Sequence, residues 1–92
     1  MNELPVDARP RLAARARLRP DPASGKTALL APETVLLLNP TSAAIVELCD
    51  GRTLAEIADA LAARFTVPRE QALAESAAYL GRLRDRGLVE LP

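Results

Sequence analysis

The tetrapeptide Ser24-Gly25-Lys26-Thr27 has the residue types with which a phosphate-binding P-loop ends. A complete loop also needs a first glycine five residues before the second. Backbone N–H groups around both glycines then curl about the phosphates, and a lysine and a helix N-terminus complete the cradle. Pro20 occupies that first position here. A P-loop must also lead from a buried parallel strand into a helix. Thr27 is instead followed by ALLAPETVLLLN, two short apolar runs with the character of strands. The tetrapeptide therefore predicts a hairpin turn with Gly25 at its tip, and no nucleotide site.

Other chemistry is restricted by what the chain lacks. It has 92 residues, no histidine and one cysteine, Cys49. Histidine acid–base catalysis, Ser–His and Cys–His nucleophile pairs and multidentate Cys/His metal sites all drop out. A lone cysteine in a helical apolar stretch reads as a small core residue, and without a second cysteine no internal disulfide can form. A chain this short is expected to be one domain with a modest core, and not an enzyme; no catalytic residue, cofactor or metal ligand is expected. No signal peptide and no apolar run near about 18 residues stand out, so the expected location is the cytoplasm, with no membrane partner.

Net charge is zero but unevenly spread. Residues 1–26 carry six basic side chains (Arg9, Arg11, Arg15, Arg17, Arg19 and Lys26) against Glu3, Asp7 and Asp21, a surplus of three. Such a surplus is small beside the basic patches that phosphate neutralisation requires, so solvated charge is expected and not a nucleic-acid partner.

Three regions are separated by period. Residues 1–10 hold two prolines and several charges without periodicity, and predict a flexible lead-in to a domain spanning 11–92. From Ala13 to Asn39 the signals are extended: ARARLR alternates, TALLA is a short apolar run, and Pro32-Glu33 forms a turn before TVLLLN. Three strands are expected, connected by residues 20–26 and by Pro32-Glu33. After Asn39 the period becomes helical. Asn39 can cap a helix that opens with Pro40, carries Ala44, Ile45, Leu48 and Cys49 on one side, and stops at Asp50-Gly51. Thr53 and Glu56 form a capping box for a second helix with Leu54, Ile57, Ala58, Leu61 and Phe65 on one face. A third helix opens at Pro68, runs through Leu73, Ala77, Leu80 and Leu83 as core positions, and stops at Gly87, after which LVEL predicts a short closing strand.

The predicted class is α+β: a small antiparallel sheet of three N-terminal strands followed by three helices, an arrangement like a winged helix-turn-helix. DNA binding is the alternative function that such a fold brings to mind. The third helix argues against it, with Arg69, Arg82, Arg84 and Arg86 against Glu70, Glu75 and Asp85 and its arginines crowded at the C-terminal end. TVLLLN points elsewhere. Val35 and Leu37 are apolar, and so are Leu36 and Leu38, so neither face of that strand suits water. One face can pack on helices while the other, or the strand edge, takes an extended peptide; the plainer expectation is an N-terminal segment folded over that face.

LLAPE, then LN opening the first helix, then Cys49-Asp50-Gly51 followed by T-L-x-E-I, and L-x-x-L-x-x-R-G-L-V at the end together resemble the PqqD family of peptide chaperones in pyrroloquinoline quinone biosynthesis. Arg17 and Asp21 match an Arg and Asp ahead of the glycine turn, and Ala28 departs from the larger residue that members often carry there. The resemblance implies a binding protein without catalytic activity, partnered by the precursor peptide PqqA and by the radical S-adenosylmethionine enzyme PqqE. It places the peptide along the third strand, at Thr34, Val35, Leu36, Leu37 and Leu38, and against the third helix near Glu75, Ser76, Tyr79 and Leu83. Short strands, an exposed edge and a stiff Asn39-Pro40 hinge further predict a strand-swapped homodimer in equilibrium with monomer.

With Pro20 in place of a phosphate-binding glycine, ATP with magnesium is expected to give no binding heat in calorimetry. Micromolar affinity abolished by Lys26→Ala would overturn the hairpin assignment.

Overall fold

The structure, a computed structural model, describes residues 4–92. Its first layer is an antiparallel sheet of β2 (Arg17–Asp21), β3 (Lys26–Ala31) and β4 (Thr34–Leu38), in the order β2-β3-β4. Its second is three helices, α1 (Pro40–Glu47), α2 (Leu54–Phe65) and α3 (Arg69–Asp85). The expected α+β order of a small sheet followed by three helices is what the chain adopts. A second small sheet was not anticipated: β1 (Arg11–Leu12) pairs antiparallel with β5 (Val89–Glu90), which gives the closing LVEL strand its partner.

Cross-strand register sorts the sheet's side chains by face, because residues directly opposite point the same way. Leu18, Leu29 and Leu36 form one row toward the helices, and Leu29 is fully buried. Arg17–Leu30–Val35 and Arg19–Ala28–Leu37 form two rows on the opposite face. The SGKT segment is a hairpin, as expected. Gly25 has φ +73° and its N–H donates to the Asp21 carbonyl at 2.8 Å, while Ser24 Oγ donates to Asp21 Oδ2 at 2.7 Å and accepts from the Lys26 N–H at 3.1 Å. The connection is narrower than residues 20–26, however, since β2 continues through Pro20, which lies opposite Thr27. Pro20 is tolerated because β2 is an edge strand, where a missing N–H removes no ladder bond. The strand also begins later than Ala13. Ala13 and Ala16 are buried and belong to a turn, with the Ala16 N–H donating to the Ala13 carbonyl.

Helix boundaries follow their chemical signals. Asn39 Oδ1 accepts from the Ser42 N–H at 2.8 Å with Pro40 in the first turn. In the capping box, Thr53 Oγ1 accepts from the Glu56 N–H at 3.1 Å and Glu56 Oε1 from the Thr53 N–H at 2.8 Å. α1 ends at Glu47, ahead of Cys49, and Pro68 precedes α3 as its cap instead of opening it. Leu54, Ile57, Ala58 and Leu61 are buried, as their spacing predicts, whereas Phe65 is only partly covered. On α3, Leu80 and Leu83 are core, but Leu73 and Ala77 sit half-buried at its margin. Among the described residues, no helix is long and apolar enough to cross a membrane.

Residues 4–10, expected as a lead-in outside the domain, are docked on it. Leu4 and Pro10 are buried, and the Val6 and Ala8 carbonyls accept from the N–H groups of Ala55 and Leu54 at 3.0 and 2.8 Å. Those donors lie in the first turn of α2, where a helix has no internal partner for them. Arg15 does the converse for α3, its guanidinium donating to the Arg86 and Gly87 carbonyls at 3.2 and 3.3 Å. Arg9 donates to the Gly51 carbonyl. Residues 4–16 thus run along the helical layer, and among the described residues none covers the outer face of β4.

Gly51 has φ +109°, the conformation expected from its place after a helix, and a Cβ there would meet no neighbour within 4 Å. Any penalty for a side chain is therefore conformational. Gly51→Val is expected to lose about 1 kcal/mol or more, which in a domain of this size lowers Tm by about 4–8 °C per kcal/mol. Differential scanning calorimetry checks this, and an unchanged Tm would show that the turn reverses without strain.

Candidate functional site

The sheet has two free edges, and their chemistry differs. β2 carries Arg17, Arg19 and Pro20, features that discourage strand addition. β4 reads TVLLL, without charge or proline, and pairs with β3 on one side only. Its second row of backbone N–H and C=O groups has no strand partner among the described residues. Toward the helices Leu38 is buried and Leu36 partly so. On the other face Val35 is 69% and Leu37 51% exposed, which is unusual for large aliphatic side chains on a strand.

The end of this edge opens into a cleft of about 410 Å³. Asn39, the cap of α1, with Thr41, Ser42 and Ile45 of that helix forms one wall; Glu75, Tyr79 and Arg82 of α3 form the other. The Arg82 guanidinium lies 5.5 Å from the centroid of the Tyr79 ring, a cation–π contact that orients both side chains at the cleft mouth. Gln71 Nε2 donates to Glu75 Oε2 at 3.0 Å, which fixes that carboxylate one turn along the same helix. A cation, an aromatic face and a carboxylate therefore line a cleft that begins at Asn39, the residue after β4. The arrangement suits an extended peptide better than a compact small molecule.

Of the residues expected at this site, Thr34, Val35, Leu36, Leu37 and Leu38 do form the open edge strand, and Glu75 and Tyr79 do line the cleft. Ser76 and Leu83 do not reach it: they are 0% and 2% exposed and face the core. The sequence expectation mixed two phases of one helix. Positions 76, 80 and 83 point inward, whereas 75, 78, 79 and 82 follow the i, i+3, i+4, i+7 rule on the cleft side. Arg82 and Ala78 were missed although they lie three residues after and one before Tyr79 on that stripe. The sequence marks Asn39 only as a cap and Ile45 only as a core residue, and nothing local in it identifies them as cleft walls.

Among the described residues no three of His, Cys, Asp and Glu come together as a metal site. Burial, with a smaller contribution from the Asp50 carboxylate, pushes the Cys49 thiol up to about 12, so it stays protonated at neutral pH. Its Sγ donates to the Ile45 carbonyl at 3.4 Å. Asp50 is held below the usual carboxylate range chiefly by the hydrogen bonds from Arg52, which reaches both of its oxygens at 2.9 and 3.0 Å. This ion pair sits in the turn around Gly51 and braces it.

Ser76 Oγ is buried without a hydrogen-bond partner. An unsatisfied buried hydroxyl is destabilising, so Ser76→Ala is expected to raise stability by about 1 kcal/mol, whereas Leu83→Ala should lower it by about 2–5 kcal/mol. Urea denaturation distinguishes the two, and a clear loss of stability in Ser76→Ala would mean that the hydroxyl has a partner.

The same architecture occurs in characterised proteins. The solution NMR structure of the PqqD truncation of Methylobacterium extorquens PqqCD, described as a functional, stand-alone recognition element for ribosomally synthesised and post-translationally modified peptides, superimposes with a TM-score of 0.77. It is 33% identical, with 91% of this chain and 89% of that one covered. A lasso peptide synthetase B1 complexed with the leader peptide also gives a TM-score of 0.77, at 28% identity over 90% of this chain and 99% of that one. The PqqA binding protein of Rhodopseudomonas palustris strain TIE-1 is 40% identical over 82 residues, which cover 88% of this chain and 80% of the relative. The family model for coenzyme PQQ synthesis protein D (PqqD) matches residues 26–89, most of the sheet and all three helices. The chain belongs to the PqqD family.

Proposed function

We propose that the chain is a non-catalytic peptide carrier of pyrroloquinoline quinone biosynthesis, which binds the precursor peptide PqqA in the cytoplasm and presents it to the radical S-adenosylmethionine enzyme PqqE. The observation that carries this reading is the open, uncharged β4 edge leading into the Tyr79–Arg82 cleft. The likeness to a synthetase subunit that holds a leader peptide supports it, as do relatives that bind PqqA.

The peptide adds as a further strand along residues 34–38 and continues against α3. Four or five residues of pairing give a few backbone hydrogen bonds, each worth about 1 kcal/mol net. Apolar contact with the cleft supplies the remainder once ordering of the peptide is offset. Affinity between sub-micromolar and tens of micromolar follows, which corresponds to about 6–9 kcal/mol and still permits release to an enzyme. Because strand pairing is backbone chemistry, side chains of β4 contribute little to selection, and the cleft residues Glu75, Tyr79 and Arg82 contribute most. Two chains can also exchange their strand regions about the Asn39-Pro40 hinge, giving a strand-swapped homodimer in equilibrium with monomer.

Amide hydrogen exchange with PqqA present is expected to show new protection in residues 34–38 and in α3, since pairing slows exchange of free edge amides. Tyr79→Ala should weaken PqqA binding about tenfold, and N-methylation of the central peptide amides should weaken it more than Leu36→Ala does. Protection confined to α1 and α2 would defeat the strand-addition mode.

A further inference from the structure

The outer face of the sheet is a second surface, distinct from the peptide edge. Its two rows begin at β2 with exposed Arg17 and Arg19, pass through Leu30 and Ala28 on β3, and end at β4 with Val35 and Leu37, the two most exposed large aliphatic side chains of the strands. No carboxylate pairs with Arg17 or Arg19 among the described residues. Asp21 shares this face but stands opposite Lys26 and accepts from Ser24 Oγ, so the face remains net positive. A hollow of about 380 Å³ beside Arg17 and Leu30, walled by Ala16 and Pro32, gives it relief at one end. The N-terminal segment, the only stretch of described chain outside the sheet and helices long enough to cover this face, is committed to the ends of α2 and α3 instead.

We propose that this outer face is where the peptide-modifying enzyme docks, through a complementary surface with an apolar centre and carboxylates at its rim. The inference rests on the carrier role above. Charge selects this occupant over a second copy of the chain. Two copies meeting face to face would bring four unpaired guanidinium groups into one contact, opposed only by carboxylates already engaged. An acidic rim satisfies the same arginines, and the aliphatic strip supplies the apolar centre typical of an interface.

Geometry then couples the two surfaces. A peptide strand added at β4 lengthens each outer row by one residue, so that its outward side chains lie directly beside Val35 and Leu37. An enzyme seated on this face therefore touches carrier and peptide together. It binds the loaded carrier more tightly than the empty one, and by linkage it strengthens peptide binding by the same factor. The face is thus a sensor of loading as well as a dock.

The test measures affinity for purified PqqE by biolayer interferometry, with and without saturating PqqA, and affinity for PqqA alone by calorimetry. Arg17→Glu with Arg19→Glu reverses charge at two exposed positions remote from the peptide edge, and Arg17→Ala with Arg19→Ala guards against nonspecific effects of added carboxylates. The expected result is a loss of tenfold or more in enzyme affinity for the Glu pair and about threefold for the Ala pair. PqqA affinity stays within twofold of wild type, and enzyme binding to wild type strengthens at least threefold when PqqA is present. Wild-type enzyme affinity in both double variants, with PqqA binding intact, overturns the docking surface and leaves the carrier role standing. Failure of the wild-type chain to bind PqqA at all overturns the carrier role, and this surface with it.

Discussion

A strand that is apolar on both faces and paired along one edge only is the constraint around which the molecule is arranged. Leu36 and Leu38 must be taken out of water, so β4 fastens the sheet to the helical layer from its inner side. That leaves Val35 and Leu37 in solvent on the outer side and, among the described residues, a row of backbone donors and acceptors without strand partners. A soluble fold ordinarily blunts such an edge with charge, proline or a covering segment. The other edge of this same sheet is treated in that way, with Arg17, Arg19 and Pro20. The contrast within one sheet of three strands makes the open edge a specific feature of β4.

The segment that could have covered it is needed elsewhere. Short helices expose a large fraction of their terminal N–H and C=O groups relative to their length, and in a chain of 92 residues there is little other material to satisfy them. Residues 4–16 do that work: carbonyls of Val6 and Ala8 at the start of α2, Arg9 at the Gly51 turn and Arg15 at the end of α3. β1 then closes on β5 and joins the two ends of the described chain. Holding helix ends and covering β4 are exclusive uses of one short segment, and here the segment's hydrogen bonds go to the helix ends.

What could be read from the sequence follows the same division between local and non-local causes. Asn39-Pro40, the Thr53–Glu56 box and the stripe Leu54, Ile57, Ala58, Leu61 are local signals, and each is realised in the structure. The hairpin at Gly25 is local too, and its glycine takes the positive φ that the turn needs. By contrast, the β1–β5 pair joins residues nearly the whole chain apart, and no property of Arg11 or Leu12 announces it. The docking of residues 4–10 escaped notice because prolines and charges mask the two buried positions, Leu4 and Pro10. On α3 the difficulty was phase: serine at 76 suggests solvent and leucine at 83 could suit either side, yet both are buried. Fixing the rotation of that helix required Leu80 and Ala72 to be recognised as its innermost positions, after which Tyr79 and Arg82 fall on the cleft side together.

The division of labour between strand and helix also bears on how a carrier can be selective without being tight. In the strand-addition mode proposed above, backbone pairing along β4 would accept any extended sequence that lacks proline at the bonding positions, and so would supply affinity with little discrimination. In that mode discrimination would fall to side chains at the cleft, where Tyr79 and Arg82 already hold one another through the cation–π contact. A pair oriented before binding loses less rotamer freedom when a peptide side chain arrives, so a modest contact is used efficiently. Strand addition also forms and dissolves bond by bond along its length, unlike closure of a deep pocket. On the docking surface proposed above, a partner seated beside Val35 and Leu37 would engage the outward side chains of a peptide whose backbone is still paired with β4, so that the proposed transfer would need no step in which the peptide is free in solution.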